Sequence, residues 1–293
     1  MNDNLLNQIT PFIKLARYDR PVGFMLLFWP CMWSLLLYSL YIDQPVPIGF
    51  FVLFFIGSII MRGAGCTWND FLDKEYDKNV SRTKDRPLAS NKIKTINALV
   101  FLLVQLLIGL LILVQFNKLT IIIGSLALIP VFIYPLMKRV TWWPQIFLGI
   151  TFNWGALLGW LSLSNDFSSI YPILLYLACI FWTVGYDTIY AHQDKDDDIV
   201  LNLKSSAIKL GENTKNALLI FYAIFFIIFA VILFSLSNSI IIHLAILSLL
   251  IHLVFQIIYL DINNSDRCLK IFKSNNLLGL QISFFLILEL VIN

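Results

Sequence analysis

From Lys215 to Leu260 the chain reads K-N-A-L-L-I-F-Y-A-I-F-F-I-I-F-A-V-I-L-F-S-L-S-N-S-I-I-I-H-L-A-I-L-S-L-L-I-H-L-V-F-Q-I-I-Y-L, with no Asp, Glu, Lys or Arg after the first residue. Ser237 and Asn238 interrupt it and leave two apolar runs, 215–236 and 239–260. Each has the ~20 residues needed to cross the hydrocarbon of a bilayer. Only helices and closed barrels satisfy their backbone there, and runs this long and this apolar are helices.

The same reading extends outward along the chain. Seven more spans follow, over 21–41, 46–68, 95–115, 119–137, 143–163, 170–190 and 275–292. Turn residues separate them at Pro45 and Pro47, Asn117, Pro144, and Asn165 with Asp166. The composition agrees: 59% of the 293 residues are hydrophobic and the mean hydropathy is +0.79. That excludes a soluble domain of this size, and the net charge of +3 gives no sign of nucleic acid as a partner. The partner that the composition demands is the lipid bilayer.

Numbering the loops alternately from an inside N-terminus places every Lys and Arg inside except Lys118 and Arg62. The positive-inside rule therefore predicts an inside N-terminus and an outside C-terminus. The four cysteines are scattered without metal-ligand spacing and read as small buried hydrophobes. Residues 5–17 predict a short amphipathic helix on the membrane surface. The N-terminus lacks the pattern of a cleavable signal or a transit peptide, and the expected location is a bacterial inner membrane.

Two acidic strings fall on the inside face, after spans two and six. The first is N-D-F-L-D-K-E-Y-D, with Asn69, Asp70, Asp73 and Asp77. The second is Y-D-T-I-Y-A-H-Q-D-K-D-D-D, with Asp187, Tyr190 and Asp194. Asp70, Asp73 and Asp77, and likewise Asp187, Tyr190 and Asp194, step by three and then four residues, which predicts one helix face in each case. Spans one to four and five to eight thus form a coarse repeat of two four-helix units, each with an acidic string after its second helix, and the ninth span closes a ring. Clustered carboxylates bind cations. Mg²⁺ is the natural candidate, because it takes one or two carboxylates together with substrate phosphates.

Arg82, Lys84 and Arg86 follow the first string directly. Acid and then base in one loop suits a metal–diphosphate, with carboxylates on the metal and guanidinium or ammonium groups on the phosphate oxygens. Arg62 lies seven residues before Asn69, on the same helix face, at a depth where charge is costly. His192 lies in the second loop and is expected to face solvent.

With these residues in view, the chain resembles the UbiA superfamily of intramembrane aromatic prenyltransferases, over nearly its whole length. N-D-x-x-D-x-x-x-D at Asn69 to Asp77, R-x-x-x-R-P at Arg82 to Pro87 and Y-D-x-x-Y-x-x-x-D at Tyr186 to Asp194 carry the resemblance. R-P-V-G at Arg20, M-R-G-A-G-C-T-W-N-D at Met61, Y-P-L-M-K-R at Tyr134 and D-K-D-D-D at Asp194 point to its 4-hydroxybenzoate polyprenyltransferase branch. The resemblance implies an all-α ring of nine transmembrane helices around a central cavity, in one domain over 1–293. Within it, 1–20 is a surface segment, and 69–94 and 191–214 are the two functional loops.

The resemblance also implies two Mg²⁺ ions bridging a polyprenyl diphosphate. Asn69, Asp73 and Asp77 serve one cluster, Asp187, Asp194 and Asp198 the other, with Asp70 beside the first at the edge of its metal-facing stripe. The activity implied is transfer of the prenyl group to 4-hydroxybenzoate, ortho to its hydroxyl, as a step of ubiquinone biosynthesis. Tyr134, Tyr190 and Trp154 are candidates to line the pocket of an allylic cation. Lys138 and Arg139 are candidates for the acceptor carboxylate, with Arg62 as the rival. Another acceptor, such as a menaquinone precursor or haem, is the nearest alternative. A CDP-alcohol phosphotransferase lacks its D-G-x-x-A-R signature here, and a transporter would carry its ionisable residues near the midplane.

Overall fold

The computed structural model describes residues 3–80 and 83–292, and among these every regular element is helical. Nine helical segments among the described residues are long and apolar enough to cross a membrane. The apolar runs locate them well, and two differ from expectation at their ends. The second span continues as one helix through the first acidic string, α3 (Ile48–Asp77). Residues 69–77 are therefore helix, not loop. The ninth, α15 (Ser265–Ile292), begins a full ten residues early and carries Arg267, Lys270 and Lys273 on its first turns.

The chain divides into two compact units. The first comprises residues 1–25 and 55–116, and so holds α1 (Asp3–Leu15), most of α3 and α4 (Thr95–Leu113). Leu15, Leu88, Ile93 and Ala98 are buried together, with Phe12, Phe71 and Phe101 packed against them. This small core explains the shape of the 78–94 segment: Leu88 and Ile93 pin it beneath α1 and α4. Gln105 of α4 is buried and bridges two other elements, donating to the Tyr18 hydroxyl at 3.0 Å and accepting from Thr67 Oγ1 at 3.1 Å. Gly63 permits that approach, because a Cβ there would meet the Tyr18 and Gln105 side chains at 2.5–2.6 Å. The other side of α4 exposes Val100, Leu103, Leu107 and Leu111, as a lipid-facing helix does.

The second unit comprises residues 26–54 and 117–293. It holds α2 (Val22–Ile42) from Leu26 onward and α5 to α15. The fourth span is built from three short helices, α5 (Lys118–Leu126), α6 (Leu128–Ile133) and α7 (Met137–Val140), with a tight turn at Tyr134–Leu136. The fifth is broken at Asn153 into α8 (Pro144–Phe152) and α9 (Trp154–Ser164). The sixth, α10 (Tyr171–Ala191), is the hub and packs on α8, α9, α15 and α13 (Thr214–Leu236). Trp33, Trp182, Phe225 and Phe229 form its aromatic core, with Trp33 and Trp182 centroids 5.0 Å apart. The eighth span is α14 (Ile240–Tyr259).

Candidate active site

Each unit carries one acidic string. In the first, the carboxylates separate by role. Asp70 is 1% exposed and accepts three hydrogen bonds, two from one guanidinium nitrogen of Arg17, at 2.8 and 2.9 Å, and one from Arg86 at 3.2 Å. Asp77 is bound through both oxygens by Arg86, at 3.0 and 2.8 Å. Burial works to lower the Arg86 pKa, but the neighbouring Asp70 and Asp77 carboxylates outweigh it and raise it. Asp70 thus fastens the segments around Arg17 and Arg86 to α3. Asp73 is fully buried, and the Asn69 amide donates to it at 3.2 Å.

Arg62 lies seven residues, about two turns, before Asn69 on α3. Its guanidinium passes over Gly23, where a Cβ would sit 2.5 Å from Nε. Lys84 is exposed. Arg82 lies outside the described residues.

The second string has a different backbone. Asp187 and Tyr190 share α10, but that helix ends at Ala191. His192, Gln193 and Asp194 donate their backbone N–H three residues back, to Ile189, Tyr190 and Ala191, the tightening that closes a helix end. Asp194 is the N-cap of a new short helix, α11 (Lys195–Val200), which holds Asp198. The expectation that Asp187, Tyr190 and Asp194 share one helix face is therefore corrected. The segment 191–214 is itself structured, with α11, α12 (Ser206–Leu210) and a turn over Gly211–Asn213.

His192 also departs from expectation. It is 7% exposed, not solvent-facing. Its Nε2 lies 3.0 Å from Thr214 Oγ1, whose own hydrogen is donated to Gly211 O at 2.7 Å. The hydroxyl can then only accept, so Nε2 carries the proton and Nδ1 is a bare acceptor. Burial, helped by Lys195, pushes the imidazole pKa down to about 4.

Aromatic side chains surround this string. Tyr190 and Tyr186 both pack on Phe272 of α15, at 4.6 and 5.8 Å between centroids, and Tyr186 meets Trp182 at 5.1 Å. Phe272 was not among the candidates, since nothing local in its segment marks it. Trp154 packs on Tyr176. Tyr134 opens the turn before α7, and α7 carries Lys138 and Arg139, all half-buried. Lys204 holds α7 in place: its N–H donates to Lys138 O at 2.8 Å and its ammonium to Val140 O at 3.0 Å. The acceptor candidates are thereby tied to the segment that follows the second string.

Among the described residues no three His, Cys, Asp or Glu side chains converge as a ready-made metal cage. The donor chemistry nonetheless fits Mg²⁺, which binds through one or two carboxylates and completes its shell with water and substrate phosphates. The buried, amide-oriented Asp73 is a donor of that kind.

The UbiA prenyltransferase family matches residues 27–284. The chain belongs to this family. Relatives include the mitochondrial 4-hydroxybenzoate polyprenyltransferases of Drosophila melanogaster and Homo sapiens. The fly protein is 46% identical over 276 residues, covering 94% of this chain and 70% of the relative. The human one is 40% identical, covering 98% and 77%. Among solved structures, a UbiA homolog from Aeropyrum pernix superposes with a TM-score of 0.77 at 22% identity, over 90% of this chain and 97% of that one. A UbiA homolog from Archaeoglobus fulgidus, bound to DMAPP and Mg²⁺, does so with 0.68 at 16% identity, over 96% and 99%. These structures bear out the helical membrane fold.

Proposed function

We propose that this membrane enzyme transfers a polyprenyl group from its diphosphate to the ring carbon ortho to the hydroxyl of 4-hydroxybenzoate, with Mg²⁺ as cofactor. The observation that carries the reading is the Asn69–Asp73 pair: a fully buried carboxylate, oriented by an amide, at the inner end of an apolar span. Arginines already engage its neighbours Asp70 and Asp77. The acceptor comes from the relatives' names.

Asn69, Asp73 and Asp77 would hold one metal ion, and Asp187, Asp194 and Asp198 the other. Bound metal supplies charge neutralisation to the departing diphosphate. Arg82, Lys84 and Arg86 bind the phosphate oxygens that the metal leaves over, Arg86 turning from Asp77 to do so. The donor's C1–O bond breaks and the diphosphate leaves with the electron pair. The ring carbon forms the new C–C bond, and the proton it carried is released. Tyr190, Tyr134 and Trp154 present ring faces to the transient allylic cation, each worth ~0.5–2 kcal/mol.

Arg139 holds the acceptor carboxylate through two parallel hydrogen bonds, with Lys138 beside it. Losing one charge-assisted pair of ~1.5–3 kcal/mol predicts a roughly 10- to 150-fold fall in acceptor kcat/KM for Arg139→Gln. A rise in donor KM instead would move Arg139 to the diphosphate, and no change would leave the carboxylate to Arg62.

The N-terminus and both acidic strings face the cytoplasm of a bacterial inner membrane, and the C-terminus faces the periplasm. The relatives' mitochondrial location makes the organelle's inner membrane the rival, which subcellular fractionation decides. The primary test incubates membranes containing the protein with 4-hydroxybenzoate, a polyprenyl diphosphate and Mg²⁺, and weighs the product. A prenylated hydroxybenzoate is expected, abolished by EDTA and restored by Mg²⁺. Turnover undiminished in EDTA would remove the metal from the reading.

A further inference from the structure

Gly65 sits in the interior of the 30-residue helix α3, where a glycine is destabilising relative to alanine. Packing does not require it. A Cβ at Gly63 would strike Tyr18 and Gln105, and one at Gly109 would strike Met61, but a Cβ at Gly65 meets nothing within 4 Å. Its chain neighbours Ala64, Cys66 and Thr67 are buried on the other sides of the helix, while Gly65 keeps partial exposure. The missing side chain therefore leaves open space on one face only.

That face belongs to the site. Arg62 stands three residues before Gly65 and Asn69 four residues after it, the spacing that aligns side chains along one helix face. At 1.5 Å per residue, Gly65 lies about 6 Å deeper than Asn69 and about 4.5 Å short of Arg62. On the function proposed above, Asn69 and Asp73 mark the diphosphate end of the donor. The bond must form next to the departing oxygen, with the reacting carbons about 3–3.5 Å apart. The next level along this face is Gly65.

We infer that Gly65 is a specificity-determining residue: its bare backbone forms the floor against which the planar aromatic acceptor lies while the new bond forms. A rigid flat ring cannot bend around a Cβ, whereas a flexible isoprenoid chain can. Arg62 beyond it makes this level of the helix face polar, where a hydrocarbon tail gains nothing from a guanidinium. Gly65 accordingly sets the size of the acceptor, not the chemistry.

The test uses membranes containing the full-length wild type, Gly65→Ala, Gly65→Val and the packing control Gly63→Ala, with 4-hydroxybenzoate and 3-methyl-4-hydroxybenzoate as acceptors. Filling such a site by one or two carbons should lower acceptor kcat/KM by about 10-fold for Ala and about 100-fold for Val. The loss should be greater for the methylated acceptor, and donor KM should stay within about twofold. The thermal midpoint in detergent should hold or rise for Gly65→Ala and fall for Gly63→Ala. Val at the wild-type rate, a rise in donor KM, or a falling midpoint with equal loss on both acceptors would each overturn the inference. An inactive wild type would instead overturn the prenyl-transfer reading, and this inference with it. An active wild type beside an active Gly65→Val overturns this inference alone.

Discussion

The two acidic strings share a spacing but not a backbone. The first lies on one continuous helix, with Asn69, Asp73 and Asp77 held in register by α3 itself. The second steps off its helix: Asp187 belongs to α10, whereas Asp194 stands at the N-cap position of a separate short helix, without a side-chain capping bond. A helix fixes each Cβ to within small fluctuations, and a capped turn leaves a side chain more freedom of approach. The two proposed metal sites, one with two carboxylates and an amide and the other with three carboxylates, can therefore differ in tolerance, the first rigid and the second adaptable.

The largest effect separates these cases. Asp73→Ala and Asp194→Ala should each lower kcat by about 10²- to 10⁴-fold, since each removes charge stabilisation that matters most as the diphosphate departs. Lengthening the side chain sharpens the comparison. Asp73→Glu, buried on a fixed helix, should be as inactive as Asp73→Ala. Asp194→Glu should recover about tenfold over Asp194→Ala, because the turn can shift to re-place the carboxylate. Steady-state rates on membranes matched for protein content decide it. Equal behaviour of the two Glu variants would break the contrast between a rigid and an adaptable site.

A second effect sits within the first string. Asp70 is held by Arg17 and Arg86, so it is read as a fastening, unlike Asp73. Asp70→Asn would take the carboxylate from part-buried Arg17 and leave Arg86 with Asp77 as its ion-pair partner. Breaking a buried pair costs ~3–5 kcal/mol, discounted here to ~2–4 because both arginines retain some solvent. The expected result is a lower thermal midpoint and yield, with kcat per folded molecule falling far less than for Asp73→Ala. An unchanged midpoint with lost turnover would return Asp70 to the metal.

These contrasts also show what a one-dimensional reading can see. The nine spans were legible because each is an uninterrupted apolar run, and lipid imposes that pattern locally. Both strings were legible as charge in an apolar background. The break at Ala191 was not, because the three-and-four spacing of Asp187, Tyr190 and Asp194 reads the same whether the helix continues or closes in three-residue turns. The role of Asp70 was not either, since Arg17 stands 53 residues away. Phe272 reaches Tyr190 only through the packing of α15 on α10. The floor at Gly65 is the absence of a side chain, visible once its surroundings are known.

The smallest expected effect tests what holds that break in the second string. His192 occupies it, buried, with Nε2 bound to Thr214 across the segment. Its pKa is pushed down to about 4 from an ordinary 6.5, chiefly by burial. Above the ordinary value the imidazole is neutral in the folded and unfolded chain alike, so its contact with Thr214 contributes in full. As pH falls, the unfolded chain takes up a proton that the folded one refuses, and the balance moves toward unfolding. Stability should therefore be lost progressively as pH drops below the ordinary value toward the folded one. His192→Gln keeps an N–H for Thr214 but cannot titrate. Its thermal midpoint should decline less steeply than wild type between about pH 7 and about pH 5, carboxylates contributing equally to both profiles. Parallel profiles would mean that His192 exchanges protons freely in the folded protein. The turn carrying Asp194 would then be open to solvent, and the adaptable site would owe its freedom to a loose segment, not to a pinned one with a short helix at its end.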